Sequence, residues 1–448
     1  MTAYWAANAL LPGGPAESVR FEVSEGRFTQ VTASGSREGA TRLPGVVVPG
    51  FANCHSHAFH RALRGRTHHG GGTFWTWREV MYAVAARLEP DSYLALARAT
   101  YAEMALAGIT AVGEFHYVHH APDGTPYADP NAMGEALRQA ATEAGVRLTL
   151  LDTCYVSGGL GGDGHLQMSP EQQRFSDGDA DGWARRWQEL KGDENTVVGA
   201  AIHSVRAVPR NQIPTVVQTV GGAPLHVHLS EQPAENETCR QVYGCTPTEL
   251  LHDAGALGQH ATAVHATHLS TGDIGLLGGT HTSCCFCPTT ERDLADGIGP
   301  ARALLDAGSP LSLGSDQHAV IDLMEEARAL EMHERLSTLQ RGRFDHAQLL
   351  AAATDHAGIG WPDAGRLEAG ARADLVAIRA DSPRTAGAQP DQILYAASAP
   401  DVHTVVKDGA VIVEDGRHRL GDVGRLVAEA IATLTLADVP RGTGSSGP

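Results

Sequence analysis

Short apolar runs alternate with stretches of helical spacing through most of the chain. Eight of these runs have the length and composition of buried strands. They lie at 46–48, 109–112, 148–151, 197–202, 225–229, 261–266, 282–286 and 311–313. Between them, apolar residues recur at helical spacing at 92–107, 131–144, 183–190 and 323–339. Eight strands that alternate with helices predict an α/β fold, a (β/α)8 TIM-like barrel.

The two ends of the chain have a different pattern. Residues 1–45 and 367–420 carry short strand-like pieces and glycine turns without helical spacing. We expect both ends to form one small β-sandwich domain beside a barrel of residues 46–366. For 421–448 we expect a helix and then a disordered tail, because the last residues are rich in glycine, serine and proline.

Charge and composition restrict the class of partner. The 448 residues carry a formal net charge of -18, which argues against nucleic acid or an anionic membrane surface. An anionic small substrate would therefore need arginines placed locally around it. No apolar run reaches the length of a bilayer, and the first residues lack the pattern of a signal peptide. Seven cysteines without a regular framework predict a reducing, cytoplasmic location.

Two histidines stand one residue apart shortly after the first apolar run. Residues i and i+2 of an extended chain point to the same side, so His55 and His57 can aim at one point. Two imidazoles on one side of a strand end are a common way to bind one divalent metal ion. The pair predicts a metal site at the end of the first barrel strand.

Further candidate residues follow later strands. His228 lies near the end of the fifth run and Glu231 follows it, His265 ends the sixth, and Asp316 follows the eighth. Because functional groups of such barrels lie at the carboxyl ends of the strands, we expect these side chains to converge. Three neutral imidazoles and a carboxylate suit Zn²⁺, or alternatively Fe²⁺, with a position open for water. Glu231 could then move protons between water, substrate and leaving group.

Two of these histidines have a close competitor in the sequence. His226 lies one strand step from His228, which we prefer because Glu231 follows it. His268 lies one short turn from His265, which we prefer because it is nearer the strand end.

A second metal ion is not expected. Lys191 could be the carboxylated bridge of a two-metal site, but it stands at a helix end followed by glycine rather than at a strand end. Cys284, Cys285 and Cys287 are better explained as buried thiols of the seventh strand. We therefore predict one divalent metal ion per chain.

Six segments carry motifs of a known family. They are Pro49–Phe59 (PGFANCHSHAF), Phe74–Glu79 (FWTWRE), Glu114–Tyr117 (EFHY), His203–Val208 (HSVRAV), His228–Gln232 (HLSEQ) and Cys287–Glu291 (CPTTE). Over nearly its full length the chain resembles the amidohydrolase superfamily. Within it, the chain is similar to the formimidoylglutamate deiminases (N-formimino-L-glutamate iminohydrolases) of histidine breakdown. The FWTWR and HSVRAV segments are the more specific part of this resemblance.

The resemblance implies a role for each candidate residue. The implied metal ligands are His55, His57, His228 and Asp316. The resemblance also implies proton transfer by Glu231 and Asp316, with His265 holding the hydroxide or the tetrahedral centre.

A further set is implied to hold the glutamate part of the substrate. Its members are His60, Arg78, Tyr117, His203 and Arg206. Two carboxylates need forked, permanently charged donors, and arginine is the best of these. His60 departs from the family, which often has glutamine there. Arg78 could instead cap a helix or pair with Glu79, and Tyr117 could be a core aromatic.

The predicted activity is metal-dependent hydrolytic deamination of N-formimino-L-glutamate to N-formyl-L-glutamate and ammonia. The alternative is a deaminase of an aromatic amine, of the guanine, adenosine or thioadenosine type, on the same mononuclear site. A third possibility is an inactive barrel that serves as a scaffold; it would require the loss of a ligand or of Glu231, and neither is lost. Barrels of this type often form dimers, so we expect a homodimer.

Overall fold

The computed structural model describes residues 2–68 and 74–434, so the tail predicted to be disordered lies outside the described residues. The strands are β1 Thr2–Leu11, β2 Gly14–Ser24, β3 Arg27–Thr32, β4 Thr41–Pro49, β5 Phe51–Ser56, β6 Ile109–His116, β7 Arg147–Cys154, β8 Gly159–Gly161, β9 Gly164–Leu166, β10 Thr196–Ile202, β11 Leu225–Leu229, β12 Ala261–His265, β13 Ser283–Phe286, β14 Leu311–Leu313, β15 Leu375–Ile378, β16 Val402–Lys407, β17 Ala410–Glu414 and β18 Arg417–His418. The α-helices are α1 Phe74–Ala85, α2 Pro90–Leu106, α3 Ala132–Ala144, α4 Ala180–Trp187, α5 Ile213–Val220, α6 Pro233–Tyr243, α7 Pro247–Asp253, α8 Thr271–Gly279, α9 Pro288–Asp293, α10 Ala301–Ala307, α11 Leu323–Thr338, α12 His346–Ala353, α13 Ile393–Ala396 and α14 Val423–Thr433. Short 3-10 helices span Ala58–Leu63, Pro170–Phe175, Ala357–Ile359, Pro390–Gln392 and Ala399–Asp401.

Eight parallel strands form the predicted barrel. Their order is β5-β6-β7-β10-β11-β12-β13-β14, which follows the chain. The two outer strands meet where the His57 amide donates to the Asp316 carbonyl at 3.2 Å and the Asp316 amide donates to the His55 carbonyl at 3.0 Å. The (β/α)8 fold class is therefore confirmed, and the residues around His55 and Asp316 lie at the seam.

The first apolar run does not belong to the barrel. Val46–Val48 lies in β4, where Val47 pairs with Ala9 of β1 and with Ala377 of β15. A strand buried on both faces has the same apolar pattern in either sheet, so the pattern could not assign it. A Cβ on Gly50 would lie 2.4 Å from Thr110 Oγ1, so only glycine fits where the chain passes into β5. We propose that the barrel begins at Gly50 rather than at residue 46.

The terminal strands form one sheet with its own core. Their order is β18-β17-β16-β15-β4-β1-β2-β3, so strands from both ends of the chain are interleaved. Arg27 of β3 also forms an antiparallel bridge with Arg372, just before β15. The sheet therefore folds back on itself and encloses residues such as Phe21 and Phe28, as the predicted sandwich requires.

The helices lie close to their predicted positions. Helices α2, α3 and α11 differ from the predicted ranges by one or two residues. Helix α4 begins three residues earlier than predicted, because the Asp179 side chain accepts a hydrogen bond from the Gly182 amide and caps the helix there. Among the described residues, no helix has the length and apolar character needed to cross a membrane.

Candidate active site

A cavity of about 190 Å³ opens at the carboxyl ends of the barrel strands. Its lining includes the predicted residues His57, His60, Arg78, Tyr117, His203, Arg206, His228, Glu231, His265 and Asp316. It also includes Trp77, Met81, Tyr82, Tyr155, Phe175 and the hairpin β8–β9. Nearly the whole predicted site therefore lies in one place, with His55 buried directly behind His57.

Four predicted metal-type residues meet at the barrel seam. The Nε2 atoms of His55 and His57 lie 3.4 Å and 3.5 Å from Asp316 Oδ1. His228 Nε2 lies 3.1 Å from His55 Nε2. Ligand atoms bound tetrahedrally to one zinc ion stand roughly 3.4 Å apart, so the spacing of His55, His57 and Asp316 fits a single ion. His228 converges with His55 and His265.

Hydrogen bonds to carbonyl groups determine which nitrogen faces the cluster. His57 Nδ1 lies 2.9 Å from the Phe115 carbonyl, and His228 Nδ1 lies 3.0 Å from the His203 carbonyl. A carbonyl oxygen only accepts, so both Nδ1 atoms carry the proton and both Nε2 atoms present a lone pair. Lone pairs aimed at His55 and Asp316, beside a carboxylate, are of the kind that a divalent cation binds.

Burial keeps these imidazoles neutral. It lowers the pKa of His57 to about 3, and the neighbouring His55 adds to the effect. Burial and nearby imidazoles also hold the pKa values of His55 and His228 well below the usual range. Neutral rings are what a metal ligand set requires.

His265 differs from the other histidines because carboxylates surround it. Its Nε2 lies 3.7 Å from Glu231 Oε1 and 3.7 Å from Asp316 Oδ2, and its Nδ1 lies 3.4 Å from Glu291 Oε1. Burial alone would lower the pKa of His265, but Glu231, Glu291 and Asp316 raise it well above its usual value. A charged His265 can donate a hydrogen bond toward the cluster.

The residues predicted to bind substrate line the other side of the cavity. Arg78 Nε donates to the Tyr82 hydroxyl at 2.6 Å. His60 Nε2 lies 3.1 Å from the Tyr117 hydroxyl, so the imidazole that replaces the family glutamine contacts another predicted binding residue. The Tyr117 ring is buried, but its position on the cavity wall means that it is not only a core aromatic.

Several contact residues were missed in the sequence. Tyr155 follows β7, and its hydroxyl accepts from Gln172 Nε2 at 2.8 Å. The same amide donates to the Tyr82 hydroxyl at 3.1 Å. Glu291 lies in the first turn of α9, within the quoted CPTTE segment that follows β13. The place of this segment after a barrel strand was a signal that could have been used.

Hydrogen bonds bear on the alternatives that the sequence leaves open. His226 Nε2 bonds to the Gly358 carbonyl and His268 Nε2 to the Asp296 carbonyl, so neither takes the place of the preferred histidine. Lys191 is exposed and donates to the Gln188 carbonyl. Cys284 and Cys285 are buried free thiols, as expected.

A second buried group of metal-type side chains lies at β6 and β7. It consists of His116, His119 and Asp152. Arg186 already binds this carboxylate through NH1 at 2.7 Å and NH2 at 3.0 Å, and Trp183 Nε1 donates to it at 2.9 Å. A cation there would meet the positive guanidinium, so the group is better described as a buried ion pair.

Three strand ends that supply the site have a strained backbone. Left-handed φ values occur at Ser230 (51°), His265 (69°), Ala266 (48°), Asp316 (40°) and His318 (60°). None of these is glycine, and each such residue costs of order 1–3 kcal/mol. The sharp turns place Glu231, His265 and Asp316 toward the cavity.

Comparison with known proteins gives consistent matches. A model described as "Amidohydrolase family" matches residues 46–412. Formimidoylglutamate deiminase of Pseudomonas aeruginosa is 37% identical over 438 residues, which cover 93% of this chain and 96% of that protein. 5-Methylthioadenosine/S-adenosylhomocysteine deaminase of Pelotomaculum thermopropionicum is 30% identical, covering 95% and 91%. The crystal structure of an amidohydrolase from Brucella melitensis has a TM-score of 0.89 at 34% identity, covering 97% of this chain and 100% of that chain.

Proposed function

Because this chain belongs to the amidohydrolase family and is a hydrolytic deaminase, we propose that it converts N-formimino-L-glutamate to N-formyl-L-glutamate and ammonia. One observation carries the proposal: Arg78 and Arg206 line the same cavity as the imidazole and carboxylate cluster. The similarity to a formimidoylglutamate deiminase supports the same substrate. We assign the reaction to histidine degradation.

The arginines account for the substrate class. N-formimino-L-glutamate carries its formimino group on the α-nitrogen, next to the α-carboxylate, and its second carboxylate at the far end of the side chain. Arg78 and Arg206 would bind the carboxylates, with His60, Tyr117 and His203 as further donors. Anchoring the far end holds the formimino carbon beside the cluster, which lowers the entropic cost of the reaction.

The metal ligands we propose are His55, His57, His228 and Asp316, and the ion we propose is one Zn²⁺. When bound, the ion would supply Lewis-acid activation of water at neutral pH. Glu231 would take a proton from that water and deliver protons to the leaving nitrogen, with Asp316 as its partner. His265 would donate to the oxygen as it becomes part of the tetrahedral centre. The water oxygen would bond to the formimino carbon as the C=N double bond opens. The bond from this carbon to the terminal nitrogen would then break, so that ammonia leaves with the proton from Glu231 and the oxygen remains as the formyl C=O.

A deaminase of purine type is the second candidate. The match to a thioadenosine-type deaminase favours it, as do the aromatic rings of Tyr117, Tyr155 and Phe175 on the cavity wall. Such rings could stack on a purine. A neutral purine, however, gives no role to the two half-buried arginines of the cavity wall.

The deciding experiment is an ammonia-release assay with the metal-loaded protein. N-formimino-L-glutamate is compared with guanine, adenosine and 5′-methylthioadenosine. We expect turnover of the first substrate, and a strong rise of its KM in Arg78→Met with the metal content unchanged. Efficient purine deamination without any turnover of N-formimino-L-glutamate would establish the second candidate instead.

A further inference from the structure

Arg206 lies between two glutamates at the edge of the cavity. Its Nε is 2.8 Å from Glu235 Oε2, and its NH2 is 3.6 Å from Glu231 Oε2. The Nε–H does not point along the line to Oε2, so the shorter contact is an ion pair without hydrogen-bond geometry. Glu235 comes from the first turn of α6 and is 2% exposed. The arginine is thus held more closely by the buried carboxylate than by the one in the cavity.

Glu235 also contacts the turn that presents Glu231. Its Oε1 accepts a hydrogen bond from the Ser230 amide at 2.9 Å. Ser230 has a left-handed φ of 51° and directly precedes Glu231. One carboxylate therefore contacts both the proposed substrate arginine and the turn of the proposed proton-transfer group.

The contact with Arg206 stabilises the negative charge of the buried Glu235 carboxylate. A buried carboxylate is unfavourable unless a cation faces it, and Arg206 is the cation that the structure places beside Glu235. With its Nε side held, the arginine keeps its terminal nitrogens for other acceptors. An arriving substrate carboxylate would replace the longer contact to Glu231, because that contact is the weaker one.

We propose that Glu235 is a positioning residue for this site. It fixes Arg206 from the Nε side, so that the terminal nitrogens bind a substrate carboxylate and Glu231 is left free to move protons. This inference rests on the proposed function. Without the charge of Glu235, Arg206 would close onto Glu231 and withdraw both groups from the reaction.

The first test is Glu235→Gln. Glutamine has nearly the same volume and keeps an acceptor for the Ser230 amide, but it removes the charge that faces Arg206. We expect KM to rise and kcat to fall, with kcat/KM lower by about tenfold or more and the metal content unchanged. If Glu235 only supported the Ser230 turn, the variant would match the unmodified enzyme, and the proposal would be overturned.

A double-mutant cycle shows whether Glu235 acts through Arg206 or whether its substitution lowers activity by disturbing the structure in general. If Glu235 acts through Arg206, the pair Glu235→Gln/Arg206→Met should be no worse than Arg206→Met alone. Additive losses would contradict the proposal. Glu249→Gln is the matched control, because Glu249 also binds a backbone amide at a helix start, that of Thr246 at 2.7 Å, but is not one of the two glutamates beside Arg206.

Glutarate binding, measured by calorimetry, distinguishes this inference from the proposed function. We expect Glu235→Gln to weaken glutarate binding about tenfold. That result, without turnover of N-formimino-L-glutamate, would reject the proposed function and keep the positioning role. Turnover and glutarate binding that are both unchanged in the variant would reject the positioning role alone. A protein that neither binds glutarate nor turns over the substrate would overturn both.

Discussion

Single hydrogen bonds determine the chemistry of the imidazoles at the residue scale. Spacing in the sequence predicts that His55 and His57 face the same side. It does not predict that the Phe115 carbonyl keeps the proton of His57 on Nδ1. That carbonyl belongs to a neighbouring strand, and only the folded barrel brings it within reach.

Glu231→Gln should retain the metal and lose nearly all activity. Glu231 lies beside His265 and belongs to none of the converging groups of metal-type side chains among the described residues, so it is placed to move protons and not to bind the ion. We expect kcat to fall by about 10²-fold or more. The checks are ammonia release and elemental analysis of the purified variant. Loss of the metal together with activity would instead identify Glu231 as a ligand.

Two residues, Glu235 and Gln172, could not be predicted from the sequence for the same physical reason. Glu235 and Gln172 act through contacts with side chains from other elements, such as Arg206 and Tyr155. Nothing in their local sequence indicates these partners. By contrast, His228 lies near the end of one apolar run and Asp316 stands shortly after another, so their positions at strand ends could be predicted.

At the scale of the elements, the apolar runs gave reliable strands but did not assign every strand to a sheet. Seven of the eight runs lie in the barrel, whereas Val46–Val48 lies in β4. Burial determines the apolar pattern, and both sheets bury their strands. Only Gly50, which closely approaches Thr110, marks the point where the chain passes from β4 of the terminal sheet into β5 of the barrel.

We predict one divalent ion per chain. The proposed ligands come from the ends of β5, β11 and β14, and the spacing of their atoms fits one ion. Neither lysine of the chain stands at the site, since Lys191 is exposed near α4 and Lys407 ends β16. Elemental analysis should find one equivalent of metal in the active protein. Two equivalents that are both required for activity would contradict this.

At the scale of the whole molecule, a buried ion pair joins the barrel to the terminal sheet. Arg147, at the start of β7, pairs with Asp374 just before β15 and with Asp408 at 2.9 Å. Arg147 and Asp374 are almost completely buried. The two units therefore share a charged contact with little access to water, while the predicted homodimer remains a prediction.

Arg147→Met should destabilise the protein strongly, because it leaves the Asp374 carboxylate buried without its cation. We expect the free energy of unfolding to fall by about 3–5 kcal/mol. Urea unfolding monitored by circular dichroism measures it. Arg98→Met is the control, since Arg98 pairs with Glu143 near the surface and its loss should cost at most about 1 kcal/mol. If the two variants lost the same free energy of unfolding, burial would not explain the effect of Arg147→Met.

His356 should make stability depend on pH. Its Nε2 donates to the Gly50 carbonyl at 2.9 Å, and burial, with Arg147 nearby, lowers its pKa from 6.5 to about 3. Because the folded state disfavours the charged ring, its contribution to stability is present above pH 6.5 and is lost as the pH falls toward 3. Unfolding free energies measured from pH 7 downward should therefore fall less steeply in His356→Gln. His260 is exposed, so His260→Gln is the control and should show the same pH dependence of the unfolding free energy as the unmodified protein. The same pH dependence in His356→Gln would contradict the expectation.

The interleaved terminal sheet has a consequence for synthesis on the ribosome. Strand β4 is made early, but its partner β15 is made roughly 330 residues later. At about 5–20 residues per second, that interval lasts on the order of 16–65 s. Throughout it, the valines of β4 carry an open hydrogen-bonding edge, which invites pairing with another nascent chain. The barrel can form during this wait, so the last step of folding is the closing of the sheet by strands that leave the ribosome at the end.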